Sequence, residues 1–172
     1  MSYTIRLCID NGTSDILTIV EKTCWYYANG CTWTVKDDEH VLFMGGSGTS
    51  GMLRFKTSSG DFFTVVLGMH NYNPWSGLLV NLREDDTALK LHPEYYNGGK
   101  FSHSAPDAAY TPPTAHGKNV WISVERKDEN EVFAVLHYHP HYEIYVIASP
   151  SIAPDGLKWT QSDVDYLRYV MN

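Results

Sequence analysis

Apolar and polar residues alternate over many short stretches of the chain, with the two-residue period of β-strands. An opening strand is predicted near the amino terminus, where Asp10-Asn11-Gly12 ends an apolar face formed by Tyr3, Ile5, Leu7 and Ile9. Further strands are predicted from Ile16 and over His40–Met44, Val120–Glu125 and Val132–His137. So many short strands predict a mainly β fold.

A hairpin is the clearest local prediction. Met52–Thr57 and Phe62–Met69 flank the turn residues Ser58-Ser59-Gly60-Asp61, as two antiparallel strands would. Within the first strand, apolar positions alternate with Arg54 and Lys56. This alternation predicts a half-buried strand with its charged residues on the open face.

The segment after the hairpin is ambiguous. The apolar residues Trp75, Leu78, Leu79 and Leu82 have helical spacing, whereas Leu78, Val80 and Leu82 also fit a strand, so both alternatives stay open. Thr87–Leu91 is short and apolar, and Pro93-Glu94-Tyr95-Tyr96 is typical of the first turn of a helix. Asn97–Pro113 has little periodicity and is expected to be a surface excursion.

Length and charge restrict the class of protein. With 172 residues the chain fits one domain with a core of its own, and a net charge of −7 disfavours nucleic acid or an anionic membrane as the main partner. Cys8, Cys24 and Cys31 are an odd number without metal-type spacing, which favours reduced thiols. Because the amino terminus lacks a continuous apolar segment, a cytoplasmic location is expected.

Gly45, Gly46, Gly48 and Gly51 surround Ser47, Thr49 and Ser50 in a cluster with candidate chemistry. A phosphate-binding loop is excluded because no Lys-Ser/Thr pair closes it, and neither Ser47 nor Ser50 has the Gly-x-Ser-x-Gly spacing of a nucleophile elbow. Two interpretations remain, a small polar cradle for a ligand and a plain turn.

Three blocks of sequence resolve this choice by resemblance. Trp25-Tyr26-Tyr27-Ala28-Asn29-Gly30-Cys31-Thr32-Trp33, then MGGSGTSGMLRF from Met44, then GMHNYNPW from Gly68, closely resemble the fungal fruit-body lectins in order and spacing. The likeness runs from Ser2 to about His139 and is densest from Val20 to Tyr96. After a divergent segment it returns at Ala115-His116-Gly117-Lys118. It implies a lectin domain over residues 1–139, folded as a β-sandwich with short helices that is similar to the actinoporin-type cytolysins.

The resemblance also implies a function. Fruit-body lectins are non-catalytic, and the family's sugar is galactosyl-β1,3-N-acetylgalactosamine, the T antigen. Glycans and glycoproteins are then the expected partners, bound by a multivalent, defensive homo-oligomer, with a tetramer favoured. Matched residue by residue, the primary site comprises Ala28, Ser47, Gly48, His70 and Asn71.

A second family site, for terminal N-acetylglucosamine, is expected to be lost or altered. Its Asp-Ile-x-Thr run aligns with Gly77-Leu78-Leu79-Val80, so that only Leu78 is equivalent. Lys100 is the nearest cation to an arginine expected after the paired tyrosines, and Tyr110 keeps its spacing. These three residues are the doubtful second site.

Residues 140–172 lie beyond the resemblance and are treated as a C-terminal extension. A helix is predicted there, capped by Thr160 and with apolar Val164, Leu167, Val170 and Met171. Covering the core, extending a sheet through Glu143–Ala148 and forming a subunit contact are three open roles for this segment.

Two other functions are weaker alternatives. A membrane-active cytolysin would need an amphipathic segment, and the first twenty residues are strand and turn without a basic amphipathic helix. A glycosidase would need paired carboxylates, whereas Asp61 is the only one between Met44 and Trp75, at a hairpin tip.

No metal or other cofactor is expected. His137, His139 and His141 alternate along one predicted strand face, which raises a metal site as a possibility. Pro140 is expected to interrupt that strand and no carboxylate or cysteine constellation accompanies it, so polar surface histidines are the preferred interpretation.

Overall fold

The computed structural model describes residues 1–25, 30–102 and 112–141. Several predictions lie outside these ranges. They concern Ala28 and Tyr110 as binding residues, the aromatic pair Tyr26-Tyr27, the strand over Glu143–Ala148 and the helix capped by Thr160. The boundary between a lectin domain and an extension at residue 140 also stays a prediction.

Nine strands form two sheets in the described ranges. Their bounds are β1 (Tyr3–Asn11), β2 (Leu17–Trp25), β3 (Cys31–Lys36), β4 (Glu39–Met44), β5 (Thr49–Thr57), β6 (Phe62–His70), β7 (Asn73–Leu79), β8 (Lys118–Arg126) and β9 (Glu131–Pro140). One sheet has the order β3-β4-β1-β9-β8, with β1 and β9 parallel, and the other has the order β2-β5-β6-β7, all antiparallel.

The two sheets enclose one hydrophobic core, to which each contributes the apolar face of its strands. The predicted alternation of β1 is confirmed, because Tyr3, Ile5 and Leu7 are buried in that core. Phe63 of the four-stranded sheet stacks on Tyr138 of the five-stranded sheet, with ring centroids 5.8 Å apart. Aromatic contacts of this kind join the sheets, and the predicted mainly β fold with two sheets is confirmed.

The outer face of the four-stranded sheet is covered rather than open. A short helix, α1 (Ala88–Leu91), and a 3₁₀ helix (His92–Tyr95) lie there, and Ala88 packs with Met52 and Val66 in a second buried cluster. Thr87 caps α1, and Pro93 stands in the first turn of the 3₁₀ helix, as its sequence predicts.

This cover makes one sequence prediction wrong. Arg54 was expected on an open face, but it is only 4% exposed. Its guanidinium pairs with Glu21 at 2.9 Å and donates hydrogen bonds to the carbonyl groups of Arg83 and Glu84. Buried charge is tolerated here because carboxylate and carbonyl oxygens replace water around it. The predicted hairpin itself is confirmed as β5 and β6.

The ambiguous segment after the hairpin is a strand. β7 pairs antiparallel with β6, with Leu78 opposite Val65, and the Leu78 side chain enters the main core. Gly77 faces the other way, where a Cβ atom would lie 2.7 Å from the ring of Tyr95. Strand alternation therefore decides between the two sequence patterns, since it places Leu78 inside and leaves room for Tyr95 outside.

Candidate functional site

The glycine-rich turn between β4 and β5 forms one side of the site. Gly48 has a φ of +87°, a left-handed conformation that favours glycine, and its amide donates a 2.7 Å hydrogen bond to the Met69 carbonyl oxygen. The cluster is not uniformly a loop, because Thr49, Ser50 and Gly51 already belong to β5 and are buried. Only the part from Gly45 to Gly48 is a turn.

The turn between β6 and β7 forms the next side. His70 pairs with Asn73 across this hairpin, and the two residues between them, Asn71 and Tyr72, have φ values of 48° and 65°. A two-residue hairpin with both central residues in the left-handed region is a type I′ turn, for which asparagine is a preferred residue. The turn leaves His70, Asn71 and Tyr72 exposed.

A direct hydrogen bond joins these two turns. The Tyr72 amide donates to the Ser47 hydroxyl oxygen at 3.0 Å. On the other side, Arg126 of β8 donates to the Tyr72 carbonyl oxygen. The exposed turn is therefore joined through its Tyr72 peptide groups to the Gly45–Gly48 turn and to β8.

Both turns open onto a cleft of about 890 Å³. One wall is polar and carries Ser47, Gly48, His70 and Asn71. The opposite wall comes from the 3₁₀ helix and the residues after it. The remaining lining residues are Met69, Tyr72, Asn73, Pro74, Trp75, Tyr95, Tyr96, Asn97, Phe101 and Ser102.

Packed rings build the opposite wall. Tyr95 lies 5.7 Å from Trp75 and 5.2 Å from Phe101, measured between ring centroids, and Tyr96 stacks on Trp25 at 5.9 Å. Burial raises the pKa of the Tyr95 phenol well above its usual value, so this group stays protonated and neutral. The wall offers apolar ring surface with occasional hydroxyl groups.

A buried polar chain lies beneath that wall. The His92 imidazole, 1% exposed, is 2.8 Å from the Ser50 hydroxyl through Nε2 and 2.8 Å from the Thr23 hydroxyl through Nδ1. Ser50 also contacts the Tyr96 hydroxyl. Burial lowers the pKa of His92 to about 4, so the ring is neutral at pH 7 and links the 3₁₀ helix to β2 and β5.

The cleft can bind polar groups, and its chemistry does not suit acid–base catalysis. Among its described lining residues there is no carboxylate. Asp61, the carboxylate considered for a glycosidase, is 4% exposed and lies 2.7 Å from Nδ1 of His116. It lines a separate, smaller cavity. Paired carboxylates of the kind glycosidases use are therefore not brought together at the cleft.

Four of the five residues proposed for the primary site, Ser47, Gly48, His70 and Asn71, line this one cleft. The fifth, Ala28, is outside the described residues. The wall formed by Tyr95 and the residues up to Ser102 was not predicted, because this part of the sequence has no recognisable binding motif. The pair of adjacent tyrosines was the one available signal.

The doubtful second site is not assembled by the residues that the structure describes. Leu78 is 6% exposed and belongs to the core, so its side chain faces other apolar groups. The Lys100 ammonium lies 5.2 Å from the ring centre of Phe101, beside the first cleft. Tyr110 is outside the described ranges.

A disulfide makes the prediction of reduced thiols wrong. Cys24 at the end of β2 and Cys31 at the start of β3 are bonded, with Cα atoms 5.8 Å apart, and Cys8 is free. An odd number of cysteines is compatible with one bond and one thiol, a pairing that spacing alone did not reveal. In sequence the bond closes the segment that carries Ala28.

Comparison with known proteins identifies the family. The sequence model described as fungal fruit body lectin matches residues 1–136. The chain belongs to this family. Among individual fungal fruit body lectins, the Boletus edulis lectin is 46% identical over 98 residues, which is 57% of this chain and 68% of that protein.

Solved fruit body lectins share the fold. The crystal structure of wild-type Xerocomus chrysenteron lectin XCL superimposes with a TM-score of 0.75 at 36% identity, covering 80% of this chain and 99% of that one. A mutated form of the same lectin gives 0.75 at 37% identity, with 80% and 98% covered. The chain is thus a carbohydrate-binding lectin and not an enzyme. No helix in the described part of this lectin is long and apolar enough to cross a membrane.

Proposed function

We propose that this lectin binds galactosyl-β1,3-N-acetylgalactosamine and related galactosides in the cleft between the Gly45–Gly48 turn and the type I′ turn. The observation that carries the proposal is the meeting of Ser47, Gly48, His70 and Asn71 in one cleft. These residues match the family's sugar-binding positions, and they come from two turns more than twenty residues apart in sequence. Ala28, at the matching position, is proposed as the fifth contact.

The polar wall suits the hydroxyl groups of a sugar. Ser47 already accepts a hydrogen bond from the Tyr72 amide, so its own hydroxyl proton is available to a ligand oxygen. The His70 imidazole and the Asn71 carboxamide add donors and acceptors, and neither side chain has a hydrogen-bond partner among the described residues. A sugar hydroxyl left unpaired here costs about 1–3 kcal/mol, which is enough to select an axial over an equatorial group.

The backbone at Gly48 plays a narrower part. Its amide is used by the Met69 carbonyl oxygen, so only its carbonyl oxygen and its lack of a side chain serve the ligand. The aromatic wall complements this arrangement, because C–H groups on one face of a pyranose and the methyl of an N-acetyl group pack on rings. Tyr72, Tyr95 and Phe101 are proposed for this apolar contact.

A glycan array on the purified chain of 172 residues tests the sugar class, and calorimetry with the disaccharide tests the site. His70→Ala should weaken binding about fivefold to tenfold, the loss expected for one hydrogen bond of about 1 kcal/mol. The matched control is His141→Ala, outside the cleft. Equal affinity of the parent and His70→Ala would contradict the proposed site. Binding to no galactoside on the array would contradict the proposed specificity.

The lectin is further proposed to act as a multivalent, defensive homo-oligomer, with a tetramer favoured. An open sugar site supplies few kcal/mol, so cross-linking of glycoproteins depends on several sites in one particle. Light scattering at micromolar concentration should give about four chain masses, and a monomer would contradict the proposal. A cytoplasmic location also stays a prediction, although the Cys24–Cys31 bond is uncommon in reducing compartments.

A further inference from the structure

Three side chains of types that commonly bind metals, one aspartate and two histidines, meet on the outer face of the five-stranded sheet. His137 and His139 are two residues apart on β9 and so point to the same side. Asp10 on the neighbouring strand β1 is directly paired with His137 in the parallel register. The sugar cleft uses none of these residues.

The three groups already converge on one point. Oδ2 of Asp10 lies 2.9 Å from Nδ1 of His137 and 2.9 Å from Nε2 of His139, and the three candidate ligand atoms all lie within 4.8 Å of one another. The same Asp10 oxygen therefore faces both imidazole rings. A negative oxygen and two imidazole nitrogens are a typical ligand set for Zn²⁺.

The spacing needs only a small adjustment. Zinc binds nitrogen and oxygen ligands at about 2.0–2.2 Å, and tetrahedral geometry then separates neighbouring ligands by roughly 3.4 Å. The present N–O distances are about half an ångström shorter, because each ring nitrogen is within hydrogen-bond distance of the Asp10 oxygen. Asp10 has 50% of its side chain exposed, so it is free to move outward.

Neighbouring groups hold both rings in place. Nε2 of His137 lies 3.1 Å from the Ser123 hydroxyl, which can accept its proton and leave the Nδ1 lone pair for a metal. Trp121 stacks on the same ring, with centroids 4.6 Å apart and planes at 9°. His139 packs over Gly12, where a Cβ atom would lie 2.5 Å from its Nδ1. Such support is typical of built metal sites.

We propose that Asp10, His137 and His139 bind one divalent transition-metal ion of the Zn²⁺ class, with at least one coordination position open to water or a ligand. His141 is not part of this site, because its Nδ1 lies 2.9 Å from the Asn119 side-chain oxygen. Ca²⁺ and Mg²⁺ should be rejected, since they prefer sites made entirely of oxygen ligands.

The sequence-based reasons against a metal site do not apply to His137 and His139. β9 ends at Pro140, as predicted, but His137 and His139 both lie before it. The missing carboxylate is Asp10, which is 127 residues from His137 in sequence and becomes its neighbour through the parallel pairing of β1 and β9.

Calorimetry of the whole 172-residue chain, first treated with a chelator, tests the site with Zn²⁺ alone. We expect binding of one equivalent, weakened at least tenfold by His137→Gln and by His139→Gln and unchanged by the control His141→Gln. Circular dichroism checks that each variant is folded, and Asp10→Asn supplies a third independent test. Parent-like Zn²⁺ affinity in both His137→Gln and His139→Gln would overturn the proposal, as would an equal loss in His141→Gln.

A spectroscopic readout locates the ion. Cu²⁺ quenches nearby tryptophan fluorescence, and Trp121 lies against both histidines, 4.6 Å from His137 and 5.2 Å from His139. We expect saturable quenching in the parent that is largely lost in Trp121→Phe and in His139→Gln. Quenching that remains the same in both variants would place the ion elsewhere and contradict the site.

Discussion

Nε2 of His92 lies 2.8 Å from the hydroxyl oxygen of Ser50. This contact connects the 3₁₀ helix, which carries Tyr95 in the cleft wall, to the strand that follows the Gly45–Gly48 turn. The two walls of the cleft are therefore joined by a buried neutral histidine. Its protonation state matters for both folding and binding.

His92 should make the folded lectin sensitive to mild acid. Its pKa is about 4 in the fold and about 6.5 when unfolded, so the unfolded chain binds the extra proton between these values. Above pH 6.5 protonation of His92 does not change the free energy of unfolding. As the pH falls towards 4, this protonation lowers the free energy of unfolding by about 3 kcal/mol in total.

Urea unfolding of the parent and of His92→Gln, measured at pH 7 and pH 4.5, checks this effect. Glutamine can keep a hydrogen bond to Ser50 but does not titrate. The variant should be less stable than the parent at pH 7, and the difference should shrink by about 2 kcal/mol or more at pH 4.5. A difference that is the same at both pH values would rule out the titration of His92 as its cause.

Loss of the Cys24–Cys31 bond, which joins β2 to β3, should lower the stability of the lectin while the two sheets remain folded. The bond closes a loop of only a few residues, so chain-entropy estimates give it roughly 2–3 kcal/mol of stability. Because the matched sugar position Ala28 lies within that segment, Cys24→Ala with Cys31→Ala should also weaken disaccharide binding several-fold. Calorimetry and thermal unfolding measure the two effects, with Cys8→Ser as the control. Unchanged affinity for the disaccharide would show that the segment closed by this bond does not contribute to sugar binding.

Asn71 should serve both the turn and the sugar, and two substitutions separate these roles. Alanine adopts the left-handed φ of 48° less readily than asparagine does. Asn71→Ala should therefore lower the stability by about 1 kcal/mol and also weaken sugar binding. Glycine adopts that φ readily, so Asn71→Gly should weaken sugar binding without lowering the stability. Asn81→Gly is the matched control, with a φ of 57° outside the cleft. Asn71→Gly binding as tightly as the parent would show that the amide does not contact the ligand.

N-acetylglucosamine should not bind beside Leu78. The family's aspartate aligns with Gly77, where even a Cβ atom would lie 2.7 Å from the Tyr95 ring, and the Leu78 side chain is in the core. The polar contacts of a second site therefore cannot be restored without moving Tyr95. An NMR titration with N-acetylglucosamine should leave the amides of residues 77–80 unshifted, and saturable shifts there would mean that the contacts have been rebuilt from other residues.

Local pattern was sufficient where burial follows strand alternation. The β5–β6 hairpin and β1 were predicted because each has one face in the core between the sheets. Alternation failed at Arg54, whose face is covered by a segment thirty residues later in the chain. A pattern within one strand contains no information about which distant element packs on its outer face.

The candidate site divides in the same way. Ser47, Gly48, His70 and Asn71 lie in blocks that resemble the family, and the turns between adjacent strands bring them together. Tyr95 and Phe101 reach the cleft because Tyr95 packs on Met52 and Val66, a long-range contact that the sequence pattern does not reveal. Asp10 and His137 are joined only by the parallel pairing of the first and last described strands.

An NMR titration of isotope-labelled protein shows whether galactosyl-β1,3-N-acetylgalactosamine occupies the cleft between the two turns. The amides of Ser47, Gly48, Asn71 and Tyr72 should shift together with one dissociation constant, and the His70 ring resonances should shift with them. N-acetylglucosamine at the same concentrations is the control sugar and should leave these signals in place. Shifts confined to other surfaces, such as the Asp61–His116 cavity, or no shifts at millimolar disaccharide, would contradict the account.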